Sequence, residues 1–138
     1  VETTEAAAPV LIHRRELRCD SGGAGQYRGG LGQRIELSSA IDEEIMLFLS
    51  VERVNTPALG RHGGLEGAKG RIRLSGQGRD LPSKGEFRIA PGDKLIFETP
   101  GGGGFGSPAA RCPTALKRDM SAGHVSAAAA KNQYGVKP

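Results

Sequence analysis

The sequence predicts a mostly β chain that ends in short helices, an α+β fold built on an antiparallel, sandwich-like sheet with glycine-rich loops. Three observations predict it. Six short apolar or alternating runs lie between residues 10 and 99, separated by turn signals. After Pro108 the pattern changes to capped segments rich in alanine. Glycine makes up 22 of the 138 residues, about double its average share of roughly 7%. Sixteen of those glycines fall in three clusters: Gly22 to Gly32, Gly60 to Gly70 and Gly101 to Gly106.

The elements follow in chain order. Val10 to Leu17, "VLIHRREL", begins apolar and becomes charged. Arg34 to Leu37 is a shorter run. Ile45 to Val51, "IMLFLSV", is continuously apolar, the pattern of a strand covered on both faces. "RIRLS" from Arg71 alternates, with Ile72 and Leu74 on one face, and "EFRIA" alternates through Phe87 and Ile89. Pro91-Gly92-Asp93 signals a turn before "KLIFET", so the last two strands are expected to form a hairpin. Pro113 to Ala122 reads as a helix with proline at its start and Gly123 past its end. Ser126 is an N-cap for "AAAAKNQ" and Gly135 a C-cap. The expected division is a glycine-rich β domain over residues 1–108 and a helical tail over 109–138.

Composition bounds the function. A chain of 138 residues makes one domain, but its core is thin: Leu, Ile, Val and Phe number 29 and Trp is absent. The net charge is +4. The basic residues are scattered from Arg14 to Lys137, and the densest group, Arg14, Arg15 and Arg18, encloses Glu16. No basic run is interleaved with stacking aromatics, so nucleic acid is not an expected partner. No apolar run approaches the roughly 20 residues of a membrane span, and no signal peptide is visible. Cys19 and Cys112 lie far apart, outside any zinc spacing, and read as reduced thiols in a cytoplasmic protein. The chain opens on Val1, which fits a piece of a longer polypeptide.

The glycine clusters carry the candidate sites. In "DSGGAGQYRGGLG", Asp20 to Gly32, small residues permit close backbone approach. The amides of Gly22, Gly23 and Gly25 would then cradle an anion, with Arg28 as a two-pronged donor and Asp20 and Ser21 as orienting groups. The alternative is a tight turn with Arg28 paired to an acid. No Gly-Lys-Ser/Thr closes the segment and no G-x-G-x-x-G opens a helix, so a nucleotide is not expected on this chain. His62, between Arg61 and two glycines, is placed to shuttle protons or ligate. The alternative is a polar surface side chain. His13 and His124 share no ligand spacing with it, so no metal is expected to be held by this chain alone. Ser21, Ser107 and the thiols have no adjacent base in sequence. Asp42, Glu43 and Glu44 read as a solvated acidic turn. "TPGGGGFGSP", Thr99 to Pro108, places Gly101, Gly102, Gly103 and Gly104 in a second candidate anion loop.

The order of these motifs is more specific than any one of them. "ELRCDSGGAGQYRGGLGQ", "RHGGLEGAKG", "LPSKGEF", "PGDKLIFETPGGGGFGSP" and "VSAAAAKNQYGV" follow in series. The series resembles the C-terminal part of the hydantoinase B/oxoprolinase family, from Glu16 to Val136. That family includes B subunits of ATP-dependent N-methylhydantoinases, the corresponding half of 5-oxoprolinase, and α subunits of acetone carboxylase-type enzymes. Two positions depart from its usual pattern: Cys19 stands where proline is usual, and Ser107 where aspartate is usual. The resemblance implies a hetero-oligomer in which a hydantoinase A-like subunit binds ATP and magnesium and phosphorylates the carbonyl oxygen of a small substrate. The B-type subunit then completes ring opening of a cyclic amide or, in the carboxylases, joins an enol phosphate to carbon dioxide. It also implies a divalent metal held upstream of this stretch, and a chain inactive alone. Gly22 to Gly25 and Gly101 to Gly104 are expected to face a phosphorylated intermediate or a neighbouring subunit. From a different class, the missing catalytic set fits a binding or assembly module without turnover.

Overall fold

The computed structural model describes residues 1–75 and 80–135. Val136 and Lys137, used above, lie outside the described residues. The elements run α1 (Glu2–Ala7), β1 (Val10–Leu17), β2 (Gln33–Ser39), β3 (Ile45–Ser50), β4 (Arg71–Leu74), β5 (Lys84–Ile89), β6 (Lys94–Glu98), a 3-10 turn (Pro108–Ala110), α2 (Pro113–Ser121) and α3 (Ala127–Tyr134). The mostly antiparallel sheet with short helices is the predicted class. The helix α1, which opens the chain, was not predicted. Its Glu5 Oε1 accepts the Ile12 amide at 2.7 Å, next to a register shift in β1.

Four strands form one antiparallel sheet in the order β1-β2-β6-β4, and β3 and β5 form a second antiparallel pair. The expected β5–β6 hairpin is therefore corrected. The turn exists, with Gly92 at φ 86° and the Asp93 amide on the Ala90 carbonyl at 3.0 Å. It carries the chain from one sheet to the other instead of pairing its flanks. The reason lies in the core, where Ile89 of β5 and Leu95 of β6 pack together with Leu49, Ile72, Leu74 and Leu81. Strands on opposite sides of that core bury both apolar faces, which a hairpin in one sheet would not.

The expectation that β3 is covered on both faces is also corrected. Ile45, Leu47 and Leu49 point to the core, but Met46 and Phe48 are 65% and 72% exposed. The second sheet has only two strands and nothing among the described residues lies over its outer face.

The tail matches its sequence signals. Pro113 stands in the first turn of α2, and Gly123 after it has φ 71°. Ser126 Oγ accepts the Ala129 amide at 3.0 Å, and Gly135 closes α3 at φ 72°. Ser126→Ala is expected to cost about 1 kcal/mol, the usual value of an N-cap, read as a lower urea midpoint at unchanged slope.

Both cysteines are free and exposed. Cys112 precedes α2, where the amides of Ala115 and Thr114 stabilise its thiolate and lower its pKa. Partial burial, and then the Asp20 carboxylate, push the Cys19 thiol up. Iodoacetamide at neutral pH is expected to modify Cys112 before Cys19, as peptide mass mapping at short times would show.

Candidate functional site

The three glycine clusters come together as one backbone-packed bundle. Residues 101–106 run between the 21–30 and 58–68 segments, hydrogen-bonded to both. The Gly23 amide donates to the Gly102 carbonyl at 2.8 Å, and Gly102 donates onward to Gly30 at 2.9 Å. On the other side Gly101 donates to Ala68 and Gly104 to Leu65, each at 2.9 Å. The outer segments also bond each other, Leu65 to Ala24 at 2.7 Å and Ala68 to Ser21 at 2.8 Å.

This packing explains the glycines physically. A Cβ on Gly101 would overlap the Ser21 carbonyl oxygen, and one on Gly104 would overlap that of Ala24. Backbones this close leave no room for side chains. The amides of Gly23, Gly101, Gly102 and Gly104 instead find carbonyls on neighbouring segments, as buried peptide groups must.

The expected anion cradle is corrected accordingly for Gly23, Gly101, Gly102 and Gly104, whose amides are spent on carbonyls of the chain itself. Gly22, Gly25 and Gly103 sit in the same contacts. A Cβ on Gly25 would come within 2.7 Å of the Phe105 nitrogen, and those on Gly22 and Gly103 would overlap the Gly29 and Leu59 carbonyls. These positions are required by packing within the bundle.

Ala24, inside "GGAG", has the opposite task. It is 1% exposed and packs with Leu116 of α2, Val125, and Ala129, Ala130 and Tyr134 of α3. A methyl group therefore sits where the segment meets the helices, and none where it meets other backbone.

The candidate side chains serve the same junction. Arg28 donates through Nε to Asp119 Oδ2 at 3.2 Å and through Nη1 to the Gly29 carbonyl at 2.7 Å. Arg111 reaches the same Asp119 oxygen and, through Nη1, the Gln26 carbonyl at 3.2 Å. Asp119 is 4% exposed. Burial pushes its carboxyl up, but hydrogen bonds from Arg28 and Arg111 outweigh that and hold it below its ordinary value. The alternative given for Arg28, pairing to an acid, is the one observed.

Asp20, at φ 59°, accepts the Ser126 amide on Oδ1 at 2.8 Å and donates its own amide to the His124 carbonyl at 3.0 Å. It thereby joins the first glycine cluster to the start of α3. Ser21 is 1% exposed, and its Oγ donates to the Arg18 carbonyl at 2.6 Å and accepts the Gly32 amide at 2.9 Å. A hydroxyl held that way has no base to activate it. His62 is separate. It is exposed, has φ 51°, and its ring lies tilted against that of Phe105 at 4.8 Å between centroids. The structure does not bring it to Asp20, Ser21 or Arg28 as a catalytic group.

Three features escaped the sequence reading. His13 and Ser38 hydrogen-bond across β1 and β2 at 2.8 Å. Opposed strand positions would have suggested the pair only once the β1–β2 register was known. Two adjoining open clefts, of ≈750 and ≈510 Å³, share Val54, Asn55 and Ser83 and include no candidate residue. Their carboxylates are already paired, Asp80 with Arg71 at 2.8 Å and Glu52 with Lys84 at 3.3 Å. Among the described residues no three His, Cys, Asp or Glu side chains converge as metal ligands, and no helix is long and apolar enough to cross a membrane. No chemical step is assigned to a metal on this chain.

Comparison with known proteins places the arrangement. The β subunit of caprolactamase from Pseudomonas jessenii is 35% identical over 143 residues, covering 99% of this chain and 24% of that subunit. The crystal structure of the ATP-dependent caprolactamase from the same organism superposes with a TM-score of 0.82 at 32% identity, over 100% of this chain and 25% of the other. The 5-oxoprolinase of Saccharomyces cerevisiae is 38% identical over 111 residues, covering 76% of this chain and 8% of that protein. A nucleotide-free acetone carboxylase structure shares the fold, with a TM-score of 0.67 at 23% identity over 99% of this chain and 22% of the other. The chain thus spans about a quarter of the length of the caprolactamase subunit it matches end to end. The family model described as Hydantoinase B/oxoprolinase matches residues 1–108. With more than half of its length matched by that model and the whole of it by a caprolactamase subunit, this chain belongs to the hydantoinase B/oxoprolinase family.

Proposed function

We propose that the chain is the C-terminal part of a B-type subunit that opens a cyclic amide by ATP-dependent hydrolysis, together with an ATP-binding A-type subunit. The observation that carries this reading is the end-to-end likeness to the ATP-dependent caprolactamase. An amide resists water because resonance holds its C–N bond. Transfer of a phosphoryl group from ATP to the carbonyl oxygen removes that resonance. Water then adds to the electrophilic carbon, the ring C–N bond breaks as the nitrogen takes up a proton, and a second water hydrolyses the resulting acyl phosphate to carboxylate and free phosphate.

ATP and magnesium belong to the A-type partner in this reading, a divalent metal to another part of the B-type subunit, and the assembly to the cytoplasm. The chain's own contribution is a rigid framework. The glycine bundle fixes the ends of β2, β4 and β6 relative to α2 and α3, and Asp20, Ser21 and Arg28 fasten the joints.

The test co-produces the polypeptide of the source cell with its A-type partner and follows ring opening of a hydantoin, 5-oxoproline and caprolactam. Turnover of one of them that requires ATP but not bicarbonate is expected. A bicarbonate requirement with carboxylated product would assign the carboxylase reaction instead. A stable complex without turnover on any ring would favour an assembly module.

A further inference from the structure

We infer that the end of the glycine bundle bearing Tyr27, Leu59, Leu65 and Phe105 is the surface that packs against the remaining body of a B-type subunit. The inference rests on the functional reading above.

These four side chains are 65%, 68%, 42% and 47% exposed, four of the ten large hydrophobic side chains standing in solvent among the described residues. They come from all three glycine segments, whose backbones are bonded or packed together where they stand. Tyr27 and Phe105 exchange backbone hydrogen bonds at 2.9 Å, and their rings lie 6.3 Å apart. The His62 ring lies 4.8 Å from that of Phe105, tilted by 53°. Leu65 is bonded through its backbone to Ala24 and Gly104, and the Leu59 carbonyl abuts Gly103. Large exposed apolar side chains gathered on adjoining segments mark an interaction surface more often than they mark chance. Its backbone is already locked, so little freedom is lost on docking, and exposed aromatics are the side chains that anchor interfaces.

The occupant follows from chain length and charge. This chain accounts for 24–25% of the caprolactamase chains it matches end to end. About three quarters of such a subunit is other sequence, long enough to supply the surface that covers this end of the bundle. The exposed Arg61, paired through its backbone with Phe105, makes no ion pair among the described residues. The fitting surface is thus apolar, with a carboxylate opposite Arg61. The other apolar patch is less suited, because Met46 and Phe48 stand opposite Arg88 and Glu86 in the strand register.

The test places the photo-reactive residue p-benzoylphenylalanine at position 105 in the assembly purified from the source cell. Irradiation and mass spectrometry then identify what is captured. The expected capture is B-type sequence outside these 138 residues. Capture of the A-type subunit, of the same patch in a second copy, or of no polypeptide overturns the inference. A label at 105 replaces a hydrogen-bonded residue of the bundle, so the same experiment is run with it at position 59, where the same capture is expected; adding Tyr27→Lys is expected to lower that capture by at least about tenfold. Ring-opening assays on the same samples separate the two claims. Capture of B-type sequence without turnover would sink the functional reading alone, and turnover without that capture would sink the interface alone.

Discussion

Gly104→Ala is expected to destabilise the chain by about 3 kcal/mol or more, at the severe end for overpacked positions. The added methyl would overlap the Ala24 carbonyl oxygen and lie 2.6 Å from that of Gly23. Neither obstacle is a flexible side-chain end. Each belongs to a backbone whose groups are already bonded within the bundle, so relief in one place opens a hydrogen bond in another. Gly30→Ala supplies the control. It makes the same chemical change in the same bundle, but nothing lies within 4 Å of the new atom, and its effect is expected within about 0.5 kcal/mol. Urea denaturation of the two variants beside the parent chain checks both. Equal, small effects would mean that the segments do not pack as described.

The second large effect belongs to Asp119. Asp119→Ala is expected to cost about 3–5 kcal/mol, the usual result of breaking a buried ion pair. The Arg28 and Arg111 side chains are only 15% and 9% exposed, so both cations would lose their counter-charge away from water. Acid should act in the same direction. The folded carboxyl titrates below its unfolded value of about 3.9, so its stabilisation is complete above that value and is lost as pH falls through the lower folded value. Stability measured from about pH 6 downward should fall more steeply in the parent than in Asp119→Asn, which has no proton to gain. Parallel acid profiles would place the relevant carboxylate elsewhere.

Much of the local structure was legible because it depends on nearby residues. Pro113, Gly123, Ser126 and Gly135 mark helix ends through groups one to four positions away, and α2 and α3 obey them. The alternation at Ile72 and Leu74 likewise survives, both being buried. What failed depended on distant chain. Pro91 to Asp93 announces a turn, but not whether its flanks share a sheet. The run in β3 is apolar on both faces, and only the size of its sheet leaves Phe48 in solvent. Arg28 meets its acid 91 residues away, which no spacing rule could find. The glycine clusters show the limit most clearly. A loop that must approach a phosphate and one that must approach another loop demand the same residue for the same steric reason. Only hydrogen-bond partners distinguish the two.

In this chain the glycine segments are bonded to one another, and the motif is first a scaffold. Amide hydrogen exchange followed by NMR at Gly23, Gly101, Gly102 and Gly104, with and without inorganic phosphate, tests it most directly. Slow exchange is expected at all four amides in the free chain, unchanged by phosphate. Fast exchange that becomes slow when phosphate is added would contradict it, and would return these amides to the role of an anion cradle.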